Sequence, residues 1–466
     1  MRNALLPGLA GLILTCGLCA PAAGETLGDA LRAAYVHNPR LDAERARLRA
    51  TDELVPQALA GWRPLIRATG GLTLDRQTQD DVYRRSADNE NDRNTDVLQQ
   101  AEGRLVAQQS LYSGGETVAG TRRAENQVLS ARARLTDTEQ TVLQDVVEAY
   151  AAVVRARNIL AYSRDNYDRL SRYLGGTRER FDVAELTRTD VAQAESRVSG
   201  ALADIARAES ELEAALADYE RAVGDVPGDL PPVGPLAGLP ATVDEALTEL
   251  PRHPRIVQAS YDLEAARDQI RVDEAQLLPE VNLVGELSRR NQVSFNLQSI
   301  EDASIGAEVV VPFYQRGTEY SRVRQSKQTA IQRRYDLTDI ERAVRREIIT
   351  SFEALDAARR QIIALDDQVR TAQEALEGTR EEAIAGARTV LDVLDAELEL
   401  FTAQIRRERA LEQQVVASYR LQSAIGGLTL AGLDIPGESY DPEANYRQVR
   451  NRWFGLAVED PVAAMP

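Results

Sequence analysis

The chain has 466 residues, of which 27% are charged and only 5% aromatic, and its formal net charge is −18 at pH 7. Because binding to nucleic acid depends on a basic surface, this acidity argues against a nucleic-acid partner. This aromatic fraction is low for a large compact core, whereas long helices packed in thin layers tolerate such a composition. The length allows two or three domains or one elongated body.

Residues 1–24 have the order typical of a secretory signal peptide: an arginine, an apolar stretch and then small residues. Cleavage is expected after Ala22 or Gly24. A buried or anchoring helix is the alternative, and the shortness of the apolar stretch disfavours it. Both cysteines, Cys16 and Cys19, lie in this segment. The mature chain should therefore lack cysteine, which excludes disulfides, thiolate metal sites and a cysteine nucleophile.

No later apolar run reaches the ~20 residues that a membrane-spanning helix needs. An exported chain of this kind is periplasmic, secreted, or an outer-membrane protein built from strands. The first mature segment, from Thr26 to Ala60, has a helical pattern that we expect to break near Pro39 and near Pro56. Asp29 follows Thr26 at the spacing of a helix start.

After Pro64 the apolar residues alternate with polar ones, which is typical of strands. A polar segment from Gln77 to Asp96 reads as a solvent loop, and alternation then returns. The pattern predicts a β-hairpin at about residues 65–112 with strands of about ten residues, long enough for a tilted strand to cross a bilayer. Trp62 precedes the first strand. Its indole lies at a membrane interface or packs at the strand–helix junction, and the sequence does not distinguish the two.

A long helical hairpin is predicted at about residues 113–224, where proline is absent. Apolar residues recur every seven positions, as in a coiled-coil seam; they are Val146, Val153, Leu160, Tyr167 and Leu174, and then Val198, Ile205, Leu212 and Tyr219. We expect Gly175-Gly176 and the segment from Phe181 to Thr189 to break the seam. Residues 227–241 are rich in proline and glycine and read as a linker between two halves.

The second half repeats the first. Pro64 corresponds to Pro279, and beyond the hairpin Tyr112 corresponds to Tyr314 at an offset of 202 that then holds without a gap. The first repeat is residues 25–226 and the second is residues 242–430, with a β-hairpin at about 280–314 and a long helical hairpin at about 315–426. Residues 431–466 form a C-terminal tail, for which we predict no role beyond docking on the exterior.

Both helical hairpins carry the same signal where one long helix should reverse into the next. Gly386 interrupts the apolar periodicity, and Thr389 restarts it with Asp392 three residues later. Thr187 and Asp190 have the same spacing in the first repeat. A hydroxyl and a carboxylate at this spacing satisfy free N–H groups in the first turn of a helix.

Four strands cannot close a membrane barrel, because the smallest such barrels have about eight. An open sheet in lipid would also leave its edges unpaired. Either the strands form a small periplasmic sheet, or several chains share one barrel. Three chains would supply twelve strands, which is a workable number, so oligomerisation follows if the strands lie in the membrane.

The order of these elements resembles the TolC outer-membrane factor family. The motifs that carry the resemblance are LYSGG at Leu111–Gly115, its echo FYQRG at Phe313–Gly317, ERFDVAELTRTDV at Glu179–Val191, AIAGARTVLDVLDAE at Ala383–Glu397 and SAIGGL at Ser423–Leu428. No single motif is highly specific, but their order and duplication are. The resemblance covers nearly the whole mature chain.

The resemblance implies a mainly α fold with a transmembrane β-barrel portion. Three chains would form a twelve-stranded barrel in outer-membrane lipid, continued by an α-helical barrel across the periplasm. Such a tube is the exit duct for an inner-membrane pump and its periplasmic adaptor, in type I protein secretion or multidrug efflux. It is not an enzyme and needs no cofactor. The alternative class is a periplasmic coiled-coil scaffold or adaptor without a pore.

The resemblance also implies a gate at the periplasmic tip. Asp392 and Asp395 match aspartates that narrow the lumen as acidic rings, which would favour cations over anions. Helix capping is the competing explanation for Asp392, because it stands at the third helical position after Thr389. No cap explains Asp395.

Arg388 resembles the arginine that holds the closed tip in this family through Thr189 and Asp190. An aromatic partner expected nearby is absent, because Ala383 stands in its place. We therefore expect a weaker or differently built latch. The alternative is that Arg388 is a solvated turn residue.

His37 and His253 lie two residues and one residue before a proline, each near the start of a repeat. Because no third ligand is in register with them, we interpret both as turn residues, not as metal ligands or a catalytic base.

Overall fold

The computed structural model describes residues 25–80, 93–294, 297–437 and 439–458. The predicted signal peptide, most of the first hairpin loop and the last eight residues lie outside this part of the chain. The first repeat contains α1 (Leu27–His37), α2 (Pro39–Asp52), α3 (Leu54–Leu59), β1 (Leu65–Asp80), β2 (Arg93–Ser113), α4 (Glu116–Asp182) and α5 (Arg188–Val223). The remainder contains α6 (Val243–Thr248), α7 (Pro254–Ala275), β3 (Glu280–Ser294), β4 (Leu297–Val310), α8 (Thr318–Ile384), α9 (Val390–Ala424) and α10 (Ala444–Val449).

The short N-terminal helices start and stop on local signals. Thr26 and Asp29 form a capping box at the start of α1, and the Asn38 side chain caps α2. The break predicted near Pro56 falls instead at Glu53, so that Pro56 lies in the first turn of α3. A proline is tolerated there because the N–H that it lacks would have no partner within the helix.

The four strands form one antiparallel sheet in the order β1-β2-β3-β4. The strands are longer than the predicted ten residues: β1 has 16 and β2 has 21. Pairing continues through both ends of the predicted loop from Gln77 to Asp96, out to Asp80 opposite Arg93. A backbone ladder needs no apolar face, so the polar sequence there could not mark where pairing stops.

In the second hairpin the alternation of apolar residues runs to Phe313, but β4 ends at Val310. Pro312 has no N–H to donate to a ladder, which accounts for the earlier end. Large apolar side chains of the sheet stay exposed in the single chain; they include Ile66, Leu72, Leu74, Ile305 and Val309.

The helix α4 has 67 residues, which corresponds to about 100 Å at 1.5 Å per residue. It passes without interruption through Gly175 and Gly176, so the break predicted at these two residues is wrong. Each glycine costs a helix about 1 kcal/mol relative to alanine, and the neighbouring buried Leu170 and Leu174 hold the helix in place. Across the described residues, no helix combines the length and the apolar composition that crossing a membrane requires.

The helices of the second repeat match those of the first at the predicted offset. Helix α8 also has 67 residues, and both α4 and α8 begin after a glycine in the left-handed conformation, Gly115 and Gly317. The long helices pack in pairs, α4 on α5 and α8 on α9, and α4 also contacts α7 and α9. The largest apolar cluster lies where α1 and α2 cover α4 and α5.

The C-terminal tail packs against the first repeat. The Asn445 amide donates to Asp52 at 2.7 Å, and Glu443 pairs with Arg132 at 3.0 Å. Further along, Arg450 donates to Glu125 at 3.1 Å. The tail therefore follows α2 and α4 back toward the sheet.

Candidate functional site at the helix reversals

Each pair of long helices reverses through the same backbone turn. In the first turn the N–H of Ala184 donates to Phe181 and that of Glu185 to Arg180; in the second, Gly386 donates to Ala383 and Ala387 to Glu382. This pair of bonds is the Schellman motif, which needs one residue in the left-handed conformation. That residue is Ala184, with φ 62°, in the first turn and Gly386, with φ 79°, in the second. The two positions are 202 residues apart.

The helix that leaves each turn starts with a complete capping box. The N–H of Thr389 donates to the Asp392 carboxylate at 2.9 Å, and the N–H of Asp392 donates to the Thr389 hydroxyl at 3.3 Å. For Thr187 and Asp190 the corresponding distances are 2.8 and 3.3 Å. The two tips are therefore built alike.

The capping box occupies one carboxylate oxygen of Asp392 and stabilises its charge. The backbone N–H and then the hydroxyl of Thr389 lower the pKa of Asp392, and the nearby charge of Arg388 lowers it further. Asp392 is half-buried, and the N–H and the hydroxyl of Thr389 both bind the same one of its carboxylate oxygens. Capping and a negative charge on the tip surface therefore coexist at this residue.

Asp395 has a partner that the sequence did not indicate. Arg197 on α5 donates to its carboxylate at 2.6 Å, so that this ion pair joins α5 to α9 across the two helical hairpins. Both side chains are substantially exposed. Within one chain, Asp395 is therefore a neutralised charge that ties the two tips together.

Arg388 binds within its own turn. Its Nε donates to Glu382 at 2.8 Å, while Thr189 and Asp190 are not among its hydrogen-bond or ion-pair partners in the described chain. The Asp190 carboxylate is bound by Thr187 instead. Within one chain the contacts expected of the latch are not formed, because Glu382 binds Arg388 and Thr187 binds Asp190.

A buried ion-pair cluster above the tip was missed by the sequence analysis. Glu397 on α9 is only 4% exposed, and it accepts from Nε of Arg169 on α4 at 3.0 Å and from Arg380 on α8. One carboxylate therefore joins three long helices. The available signal was the position of Glu397 between Val393 and Leu400, where a seam residue should be apolar.

A second buried carboxylate lies further along α9. Glu408 accepts from the Asn158 amide at 2.8 Å and from Arg407 at 3.3 Å. Four residues later, Glu412 pairs with Arg155 at 3.3 Å, and burial raises the pKa of Glu412. The contact between α4 and α9 thus includes a line of polar pairs beside its apolar residues, and such pairs favour one register of the two repeats.

The two histidines lie at helix ends. The His253 Nδ1 accepts from the N–H of Arg255 at 3.2 Å and caps α7, while burial lowers the pKa of His253 to about 4. His37 is the exposed last residue of α1. Among the residues that the structure describes, no cluster of three or more His, Cys, Asp or Glu side chains could hold a metal ion.

Trp62 is half-exposed, and its carbonyl accepts from the Gln109 amide at 2.9 Å. It therefore stands at the junction of the helices and the sheet. This position suits either of the roles that the sequence left open.

The family model of the outer membrane efflux protein matches residues 30–225 and 248–427. The outer membrane efflux protein BepC of Brucella suis is 34% identical over 455 residues, which are 97% of this chain and 96% of BepC. The outer membrane protein TolC of Vibrio cholerae is 26% identical over 87% of this chain and 91% of its own length.

Solved structures agree with this fold. A crystal structure of CusC superposes with a TM-score of 0.76 at 17% identity, covering 87% of this chain and 93% of CusC. The outer-membrane channel OprN gives a TM-score of 0.75 at 20% identity, covering 86% and 90%. The mainly helical fold with a small set of strands is thereby confirmed. The chain belongs to the outer membrane efflux protein family: it is a channel protein, not an enzyme, that lies in the outer membrane with its helical part in the periplasm.

Proposed function

We propose that three copies of the chain form one trimeric duct, with a twelve-stranded barrel in the outer membrane and a helical barrel below it. The observation that carries this proposal is the open sheet, in which β1 and β4 are the two edge strands. In the described chain the outer edge of each has no strand paired with it. The hydrocarbon of a bilayer does not permit unpaired strand edges. Pairing β4 of one copy with β1 of the next removes every edge, and three copies give twelve strands.

The helices support the same assembly. Helix α8 has the same length as α4 but buries fewer than half as many side chains. It leaves Ile331, Tyr335 and Ile363 exposed, at 48%, 66% and 72%. A neighbouring copy would cover such residues in a closed ring of helices.

We infer further that the duct works with an inner-membrane pump and a periplasmic adaptor. The tips bear apolar side chains that the fold leaves uncovered, among them Val183 and Ile384, which are 66% and 85% exposed. A protein partner would bury them. Relatives include an alkaline protease secretion protein and a pyoverdine export protein of Pseudomonas aeruginosa, at 26% and 25% identity. Both type I secretion and small-molecule efflux are compatible with this duct.

At the tip we propose an acidic constriction of Asp392 and Asp395 from three copies, with Arg388 as part of the latch. Within one chain Asp395 pairs with Arg197, so its negative charge would add to the constriction only where this exposed pair opens. Within one chain Arg388 binds Glu382 of its own turn, so the latch would consist of contacts of Arg388 with Thr189 and Asp190 of a neighbouring copy.

Cysteine cross-linking tests the assembly, because both native cysteines lie in residues 1–24. Ala68→Cys in β1 is combined with one cysteine at successive positions of β4 from Ser304 to Val309. We expect at least one pair to give covalent dimers and trimers under oxidising conditions, and neither single-cysteine variant to do so.

Conductance of the purified protein in planar bilayers separates the duct from the competing scaffold. A duct gives discrete openings, whereas a coiled-coil scaffold or adaptor without a pore gives none. A monomeric mass in mild detergent together with a silent bilayer would refute the trimeric duct.

A further inference from the structure

The last described residues, Trp453 to Val458, display an apolar surface that the described chain leaves largely uncovered. This segment, WFGLAV, contains no charged residue. Trp453 is 57% exposed, Phe454 87%, Leu456 99% and Val458 82%. Single exposed apolar residues are ordinary on a protein surface, but four large ones in six consecutive positions mark an interaction site.

The segment is held in a defined turn by one side chain. Arg452 donates from Nε to the Phe454 carbonyl at 3.2 Å and from Nη1 to the Ala457 carbonyl at 2.9 Å. Gly455 has φ +109°, and a Cβ there would stand 2.8 Å from Arg452 Nη2. The turn thus satisfies two of its carbonyls internally while its apolar side chains point outward, which lowers the cost of placing this backbone in an apolar medium.

The turn lies beside the start of the sheet. Arg63 donates from Nη1 to the Arg452 carbonyl at 2.9 Å, and its guanidinium stands 5.0 Å from the centroid of the Trp453 ring. Arg63 is two residues before Leu65, the first residue of β1. Leu65 and Ile66 are themselves 58% and 66% exposed. The turn therefore extends the exposed apolar surface of the strands at their helical end.

We infer that the turn from Trp453 to Val458 is a lipid anchor, seated at the boundary between headgroups and acyl chains in the periplasmic leaflet of the outer membrane. The helices of this family lie in the periplasm, so the helical end of the sheet faces that leaflet. Tryptophan is enriched at this depth, and arginine reaches it with its guanidinium among headgroups. The inference rests on the outer-membrane location of the chain and does not require the trimer.

Tryptophan fluorescence tests the anchor, because the chain contains only two tryptophans. Trp62→Phe leaves Trp453 as the sole reporter, and Trp453→Phe is the matched control that reports Trp62. Each full-length protein is reconstituted into phosphatidylcholine vesicles, with or without bromine on the upper acyl carbons. We expect the brominated lipid to reduce Trp453 emission to about half, because an interfacial ring contacts these carbons.

A second variant connects the quenching to the apolar side chains. Adding Phe454→Ser and Leu456→Ser to Trp62→Phe should abolish quenching by brominated lipid and shift the Trp453 emission to longer wavelength. Quenching of Trp453 by aqueous iodide without quenching by brominated lipid would overturn the inference. It would also be overturned if neither agent reached Trp453, since that result places the turn between two copies of the chain.

Discussion

The left-handed residue of each reversal allows a matched pair of substitutions. Gly386 has φ 79°, and its counterpart Ala184 has φ 62° although it carries a Cβ. A Cβ added to Gly386 would meet no atom within 4 Å. Gly386→Ala therefore changes the backbone preference and little else. An L residue in this conformation costs about 1–2 kcal/mol, and the lower flexibility of alanine in the opened turn offsets about 0.4–1 kcal/mol.

The net cost of Gly386→Ala is then about 1 kcal/mol, which is about a five-fold shift in the equilibrium between closed and opened turn. We expect hydrogen exchange at the amides of residues 386 and 387, which donate the two bonds of the turn, to accelerate by about that factor. The reverse change, Ala184→Gly, should slow exchange at Ala184 and Glu185. Exchange is measured by mass spectrometry on short peptides that span each reversal.

Gly378→Ala is the control, since this glycine lies inside α8 and a Cβ there also meets no atom within 4 Å. In a helix the same substitution stabilises by about 0.5–1 kcal/mol, so exchange near residue 378 should slow. The reasoning would be refuted if Gly386→Ala and Gly378→Ala changed local exchange in the same direction, or if Gly386→Ala left the turn unchanged.

Four further outcomes follow from the described contacts. Asp392→Asn combined with Asp395→Asn should weaken cation selectivity, measured as the reversal potential of single channels in a salt gradient; unchanged selectivity would count against an acidic constriction. Arg388→Ser should give longer or more frequent channel openings. Openings like those of the unsubstituted protein would contradict the proposed latch. Glu397→Gln removes the charge of a buried carboxylate that binds the partly buried Arg169 and the exposed Arg380, so we expect a loss of about 2 kcal/mol, visible as a lower midpoint of thermal unfolding. The depressed pKa of His253, about 4 against 6.5 when unfolded, means that the unfolded chain binds the extra proton first. Stability should therefore fall as pH drops from 6.5 to 4, by up to about 3 kcal/mol from this residue, and should not change above pH 6.5.

Three controls separate specific effects from general damage. Asp190→Asn disturbs the capping box of the first repeat, which is equivalent to the one that Asp392→Asn disturbs in the second. If both variants changed the ion selectivity, the effect would be assigned to loss of the cap. Asp165→Asn removes the exposed partner of Arg169 and should cost far less than Glu397→Gln. His253→Asn keeps a side chain that can cap α7 and should flatten the pH dependence; an unchanged slope would exclude His253 as its source.

The sequence was most informative where structure depends on local spacing. Thr187 and Thr389 stand three residues before Asp190 and Asp392, and a capping box requires only that spacing. The repeat also placed the two reversals correctly relative to each other. It could not show that Ala184 takes the left-handed conformation, because alanine rarely does so, and only the offset from Gly386 points to it.

The errors arose where neighbours outweigh local preference. Gly175 and Gly176 look like helix breakers, yet the packing of α4 carries the helix through them. The partners of Glu397 and Asp395 are 228 and 198 residues away in Arg169 and Arg197, and no local pattern connects residues so distant. The proposed gate and latch would need neighbouring copies of the chain, so they remain proposals.

The equal lengths of α4 and α8 restrict how this chain can tolerate insertions. One extra residue in either helix would lower its tip by about 1.5 Å and rotate everything beyond it by roughly 100°, which would separate Arg197 from Asp395 and Glu397 from Arg169. The same residue added to the hairpin loop between β1 and β2 displaces nothing below the sheet. The lengths of α4 and α8 are thus coupled: a change of length in one helix is acceptable only with an equal change in the other.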